Sequence, residues 1–280
     1  MLFEMKSINK FLMEYAIIHD HTIEYDKGNI ADIRPLKFVN RPFWCKHGIM
    51  SSSVIDSHPI WNILVRGIPH KDSDLNSHIG VARGINLDKL QLDDEPLITP
   101  AKEWDSVSAE DPTYCKDRLG FYYSGVTGEA GDRKCNLCFS DMKGNTKLII
   151  PHGKNMDMIK ELEKHRGKYF SEIGNDYSYI AQVKDNQIVP FLEPTENTWY
   201  DSHTSPGPIS KRGTMFFNGS TNGGKEWAIG KLSVNDGSVL TSKPIIKCSG
   251  NICFASDLKG KLLFFHFKDK IPCVARLIRR

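Results

Sequence analysis

One strand recurs. GFYYSG begins at Gly120, GKYFSE at Gly167, GTMFFN at Gly213 and GKLLFF at Gly260, a period of about 47 residues. HPIWNILVRG, from His58, is an earlier and more divergent copy. Each copy is followed by a strand with a small residue at its centre: HIGVAR, CNLCFS, YSYIAQV, WAIGKLS and PCVARLI. Each is preceded by a short strand: GIMSSSVI, EDPTYC, a stretch near 155–164, PGPIS and NICFAS. A fixed period of this length marks a repeat architecture, and three to four strands per repeat suit a propeller blade. No blade can bury both sheet faces alone, so five blades stack around an axis. The expected fold is all-β: a five-bladed β-propeller with residues 1–280 as a single domain, 1–40 supplying an N-terminal segment and a closing strand. AIIHDHTIEY or IRPLKFV would be that strand, which removes free sheet edges. So regular a period argues against a β-sandwich or a second small domain. The two best amphipathic helical patterns are 6–18 and 157–166.

Composition fits a globular chain: 40% hydrophobic and 25% charged over 280 residues, with a net charge of +3. Basic and acidic residues are interspersed, which speaks against a nucleic-acid partner. No apolar run reaches the roughly 18 residues that span a membrane. Glu4, Lys6, Lys10 and Glu14 interrupt any signal-peptide core. The seven cysteines are an odd number, which excludes a complete disulfide framework and points to reduced thiols and a cytoplasmic protein. Cys135 and Cys138 form a lone CxxC in a strand-like run. They read as packed strand residues rather than a zinc or redox pair. No metal and no cofactor are expected.

In a propeller the heads of the first strands converge on one face. Blade by blade these heads offer Arg41, Lys46 and His47; Glu110 and Asp111; Asn155 and Asp157; His203 and Ser205; Ser249 and Asn251. Such a polar ring suits sugars, whose hydroxyls need many directed hydrogen bonds. Trp44, Trp104, Trp199 and Tyr200 are open to two readings, stacking on sugar faces or packing within and between blades. Glycoside cleavage needs a carboxylic acid on the leaving oxygen and a nucleophile on the other side. Glu110 and Asp111 stand before Pro112. In an extended strand adjacent residues point to opposite faces, so only one should face the axis, and Pro112 should hold Asp111 extended.

These pieces together resemble glycoside hydrolase family 130, the mannoside phosphorylases and mannosidases. IGVARGINLDKLQLDDEPLITPAKEWDSVSAEDP resembles that family's run from an IGLA strand to its EDPR motif. GFYYSGV, SPGPISKRGTMFFNGS and NICFASDLKGKLLFFHFKDKIPCVARL resemble later segments in the same order. The resemblance implies an inverting enzyme acting on a β-mannoside or related glycoside, with Asp111 as the proton donor. It makes Arg66, in ILVRG, a substrate or phosphate contact, and sets Lys134 near a basic position of the family. It gives Asp157 a sugar-binding role; His47, Glu110 and His203 join the substrate-binding candidates. Thr113 stands where the family has the Arg of EDPR. In FSEIGN, Glu172 stands where phosphorylases carry a His-Arg pair. Loss of cations there argues for water over phosphate, with Glu172 as its base. The partners expected are an oligosaccharide or glycoside and inorganic phosphate if phosphorolysis holds. An inactive propeller that binds a glycan or a protein, and a mannosyltransferase of the related group, stay open, as does the oligomeric state.

Overall fold

The computed structural model describes residues 13–18, 21–71, 75–128, 133–151, 156–162, 167–173, 177–184, 187–210, 212–249, 256–258, 262–266 and 271–278. Among them the regular structure is all strand, apart from 3-10 turns at Phe43–Cys45 and Lys116–Arg118. Where the two helical patterns fall on described residues they are corrected to strands, Met13–Ile18 and Met156–Leu162, the second in the stretch also read as a strand; 6–12 and 163–166 lie outside the described residues. Strand pairing with neighbours in the sheet overrides a weak helical period.

Three strands come first: β1 (Met13–Ile18), β2 (His21–Asp26) and β3 (Ile30–Pro35). Four-stranded antiparallel units follow, each wound in chain order. The first holds β4 (Gly48–Asp56), β5 (Trp61–Ile68), β6 (His78–Gly84) and β7 (Gln91–Leu92). The second holds β8 (Ser108–Cys115), β9 (Gly120–Thr127), β10 (Lys134–Asp141) and β11 (Thr146–Ile150). The third is β12 (Met156–Leu162), β13 (Gly167–Ile173), β14 (Ser178–Lys184) and β15 (Gln187–Leu192). The fourth is β16 (His203–Ile209), β17 (Thr214–Thr221), β18 (Glu226–Ser233) and β19 (Ile246–Ser249). A single parallel pair, Ser178 with His203, joins the third and fourth units into one sheet, which β2 and β1 extend beyond β19. β20 (Ser256–Leu258), β21 (Leu262–His266) and β22 (Pro272–Leu277) make the fifth, and β3 supplies its fourth strand by pairing with β22. Of the two N-terminal segments offered for that place, IRPLKFV overlaps the strand that takes it, its first three residues, Ile33 to Pro35, ending β3. The other prolongs the fourth unit.

Alternation along the second strands distributes the core. Phe121 and Tyr123 enter a cluster with Leu64, Ile79 and Val81 of the first unit. Tyr122, between them, enters a different cluster with Ala181 and Tyr179 of the third. Ile63 and Val65 likewise meet Phe264 and Val274 of the fifth unit. Ile180 meets Met215 and Phe217, and Phe216 meets Leu263 and Phe265. One apolar cluster therefore lies between each successive pair of units, and one between the fifth and the first. This is the period-2 signature of sheets buried on both faces.

Three tryptophans pin these sheets, each four residues ahead of a first strand: Trp44 before Gly48, Trp104 before Ser108 and Trp199 before His203. The Trp44 ring lies so close to Gly67 and Gly80 that a Cβ at either would sit 2.3 Å from it. Trp199 occupies the same place against Gly219 and Gly230, and the Trp104 carbonyl closes over Gly125. The indole N–H groups donate to backbone beyond the third strand, Trp44 to Asp93 O at 3.0 Å and Trp199 to Thr241 O at 3.4 Å. Tyr200 packs with Trp199 and Phe217, its ring centroids 5.2 and 5.6 Å from theirs. The two readings left open for these aromatics are thus decided for packing.

The first strands lie against one another in chain order, β4 on β8, β8 on β12, β12 on β16 and β16 on β20, and β20 lies against β4. They carry the buried polar residues Ser51, Ser52 and Ser53, Ser108 and Asp111, and Thr204 and Ser205. β4, β8, β12 and β16 each break register, after Met50, Glu110, Asp157 and Pro206 respectively, and β4 does so again after Val54. Such bulges turn a side chain out of strict alternation.

Candidate active site

The bulge in β8 overturns the expected geometry of the carboxylate pair. Asp111 adopts φ of 52°, in the left-handed region, rather than an extended conformation. Pro112 disfavours the right-handed helical region for the residue before it, and Asp is among the few residues that tolerate the left-handed one. Glu110 and Asp111 therefore do not diverge. Both reach the same guanidinium: Arg66 Nη2 lies 2.8 Å from Glu110 Oε1, and Nη1 lies 3.9 Å from Asp111 Oδ1. Arg66 stands on β5 opposite Met50, beside the bulge in β4, so two bulges in neighbouring units converge on one cluster.

The cluster is nearly dry. The side chains of Arg66, Glu110 and Asp111 are 8%, 14% and 5% exposed. Arg66 Nε donates to Ser77 Oγ at 2.9 Å, and Ser77 N donates to Ser108 Oγ at 3.1 Å. The Ser51 hydroxyl donates to Asp111 Oδ1. Ser51 N in turn donates to His266 Nδ1 at 3.3 Å, which brings in the fifth unit. Tyr114 N donates to Ser53 Oγ at 2.9 Å and ties β8 to β4. Burial pushes the Glu110 carboxyl above its ordinary range. Arg66 opposes the rise, Asp111 adds to it, and Ser108 and Arg133 oppose it further. Burial and the neighbouring carboxylate both favour the protonated form of Glu110. A group of this kind can deliver a proton to a bound oxygen.

The other candidates stand on other elements. His47 is exposed on the turn before β4. Lys134 is exposed at the start of β10, and it is Arg133, one residue earlier, whose charge acts on Glu110. His203 opens β16, half-buried, 3.4 Å from Ser178 Oγ and stacked on Trp227 at 5.8 Å. Burial lowers its pKa. Asp157 and Glu172 lie on β12 and β13, opposite Ser171 and Met156, and their side chains lie outside the described residues. Asn155 and Asn251 lie outside them altogether. Ser249 ends β19, in the fourth unit, rather than heading the first strand of the fifth. Cys135 and Cys138, three apart on β10, project from opposite faces of the sheet. Among the described residues, no three His, Cys, Asp or Glu side chains gather as a metal site would require. Ser51 and His266 carried no motif; only their place at a bulge and at a strand end brings them here.

No family model matches the chain, and no curated protein is significantly similar to it in sequence. Solved structures do match in fold. A β-1,2-mannobiose phosphorylase from Listeria innocua, in complex with β-1,2-mannobiose, superposes with a TM-score of 0.61 at 14% identity, over 83% of this chain and 89% of that one. A glycosyl hydrolase from Bacteroides ovatus gives 0.60 at 14% identity, over 86% and 89%. A family-43 endo-arabinanase from Bacillus licheniformis gives 0.52 at 12% identity, over 86% and 97%. At these identities the likeness is one of fold.

Proposed function

We propose that the chain is a single-domain five-bladed β-propeller of the family 130 kind that cleaves a β-mannoside or related glycoside with inversion, Asp111 acting as general acid. The order of contacts among the first strands and the apolar cluster between the fifth and first units support the propeller reading. The observation that carries the chemistry is the buried Glu110–Arg66–Asp111 cluster at the bulge in β8. A carboxyl held there protonates the glycosidic oxygen while a nucleophile attacks the anomeric carbon from the opposite face. Water is the nucleophile we favour. Arg66 directs Nη2 and Nε at Glu110 and Ser77 and lies beside Asp111, so its charge is committed inside the cluster rather than offered to phosphate. Glu172, on β13 of the neighbouring unit, takes the proton from that water. Arg133, exposed beside Glu110, is the contact for a sugar hydroxyl at the rim.

The test is a turnover assay on manno-oligosaccharides, with and without phosphate, for the natural chain and for Asp111→Asn. Release of free mannose, lost by at least about a hundredfold in the variant, is expected for a general acid. Mannose 1-phosphate as the product would overturn the choice of water. Equal turnover by Asp111→Asn would overturn the assignment, and oligosaccharide binding without turnover would make the chain a binding module.

A further inference from the structure

We infer that Ser51 and His266 are positioning residues for Asp111, acting in series from two other units; the inference rests on the proposed role of Asp111. Ser51 is the extra residue of the bulge in β4: Met50 pairs with Arg66 and Ser52 with Val65, and Ser51 has no partner in the ladder. A bulged residue keeps an orientation only if something outside the ladder holds it. Here His266 Nδ1, at the last residue of β21, accepts the Ser51 N–H at 3.3 Å. Ser51 is 1% exposed and His266 is 1% exposed, so water does not compete for either group. The tautomer follows, because an Nδ1 that accepts leaves the ring proton on Nε2.

Held this way, the Ser51 hydroxyl donates to Asp111 Oδ1, the same oxygen that faces Arg66 Nη1. The Ser51 hydroxyl, by a hydrogen bond, and the Arg66 charge, 3.9 Å away, thus both face Oδ1. In a protonated carboxyl that oxygen is the carbonyl acceptor, and the proton sits on Oδ2. Ser51 therefore selects which oxygen carries the transferable proton, and His266 keeps Ser51 in the conformation that does so. The left-handed backbone of Asp111 gives the carboxyl no strand alternation to fix its direction, so the side-chain contacts must supply it.

Two measurements test this. The first is kinetic. Removing one hydrogen bond to an ionisable buried group should lower kcat of Ser51→Ala about ten- to a hundredfold. KM should stay within about threefold, since substrate contacts are untouched. Ser51→Thr restores the hydroxyl and should recover most of the loss. His266→Ala should lower kcat less, and the double variant Ser51→Ala/His266→Ala should be no slower than Ser51→Ala, because residues in series do not add. The second needs no turnover: the Asp111 side-chain carboxyl 13C resonance, assigned by its absence in Asp111→Asn. It should move in Ser51→Ala and in His266→Ala and stay near its original place in Ser51→Thr. If the resonance does not move in Ser51→Ala, the inference fails whatever the kinetics. A resonance that moves with kcat unchanged, or kcat losses that multiply in the double variant, would also overturn it. A natural chain that turns over nothing would sink the proposed function, while the resonance would still decide whether Ser51 and His266 hold the carboxyl.

Discussion

Replacing Arg66 by Met tests whether the carboxylate pair depends on one cation. The guanidinium is the described cation that touches both carboxylates, 2.8 Å from Glu110 and 3.9 Å from Asp111. Its removal leaves two acidic groups side by side in a site where their side chains are 14% and 5% exposed. Breaking a buried ion pair by deleting one partner costs about 3–5 kcal/mol, mostly the penalty of the charge left behind. Met fills much of the vacated volume, so a cavity adds little to the loss. The loss should depend on pH in a defined sense. Burial already raises Glu110 above the ordinary carboxylate range, and the second-largest influence, Arg66, opposes that rise. Without Arg66 the folded-state pKa climbs further. An acid whose pKa is higher in the folded than in the unfolded chain binds its proton more tightly when folded. The variant therefore regains stability as pH falls through that folded value toward the unfolded one near 4.3. Urea unfolding of both proteins at pH 8 and pH 5.5, with the m-values compared, reads this directly. A deficit of about 3–5 kcal/mol at pH 8 that shrinks at pH 5.5 is expected. A deficit below about 1 kcal/mol, or one equal at both pH values, would refute the reasoning.

Gly80→Ala would place a Cβ 2.3 Å from the Trp44 ring; the overpacking should cost about 1–3 kcal/mol or more, read as a fall in urea midpoint. Gly224→Ala, whose nearest neighbour is the edge of the His203 ring at 3.1 Å, tests a different strain, its positive φ, and should cost less if the Trp44 contact is the tighter constraint. His203, lowered by burial, should titrate below the ordinary value near 6.5 in an NMR pH series. Its folded pKa lies below its unfolded one, so its contribution to stability is present above that ordinary value and is lost as pH falls. Titration at or above the ordinary value would contradict the burial argument.

The repeat was legible because packing wrote it. Phe121, Tyr122 and Tyr123 feed two inter-unit clusters by simple alternation, and any chain that stacks such sheets must spend aromatic residues there at a fixed period. The starts of β9, β13 and β17 fall within one residue of Gly120, Gly167 and Gly213 for that reason. The tryptophan spacing was equally present in the sequence. Four residues separate Trp44, Trp104 and Trp199 from Gly48, Ser108 and His203, yet an aromatic ahead of a polar strand head reads as well for a sugar platform as for a packing element until the glycines beneath it are located. The fourth strands were faint because they are short or lie far away in sequence: β7 is two residues, and the partner of β22 comes from Ile30–Pro35. Arg133 was passed over for Lys134 because the strand begins between them, and one residue of register decides which side chain faces the cluster.

The carboxylate pair shows why a site of this kind resists reading from sequence. Alternation is the rule that made the repeat visible, and applied to Glu110 and Asp111 it separates them onto opposite faces. The bulge suspends that rule and brings the two adjacent side chains to the same cation. A sequence carries no strong mark of a bulge, since the residues that allow one, here Asp before Pro, are common in turns as well. The recurring bulges also divide the work. Regular positions of β5, β9, β17 and β21 supply buried apolar residues to the junctions between units. The irregular positions of the first strands, Ser51 and Asp111, leave the ladder and are held by side chains of neighbouring units instead. Such residues can change without disturbing the stack, because no strand pairing depends on their side chains. The repeat therefore constrains the regular positions strongly and the bulged ones weakly, and Thr113, just past the bulge, is already back in register opposite Tyr122.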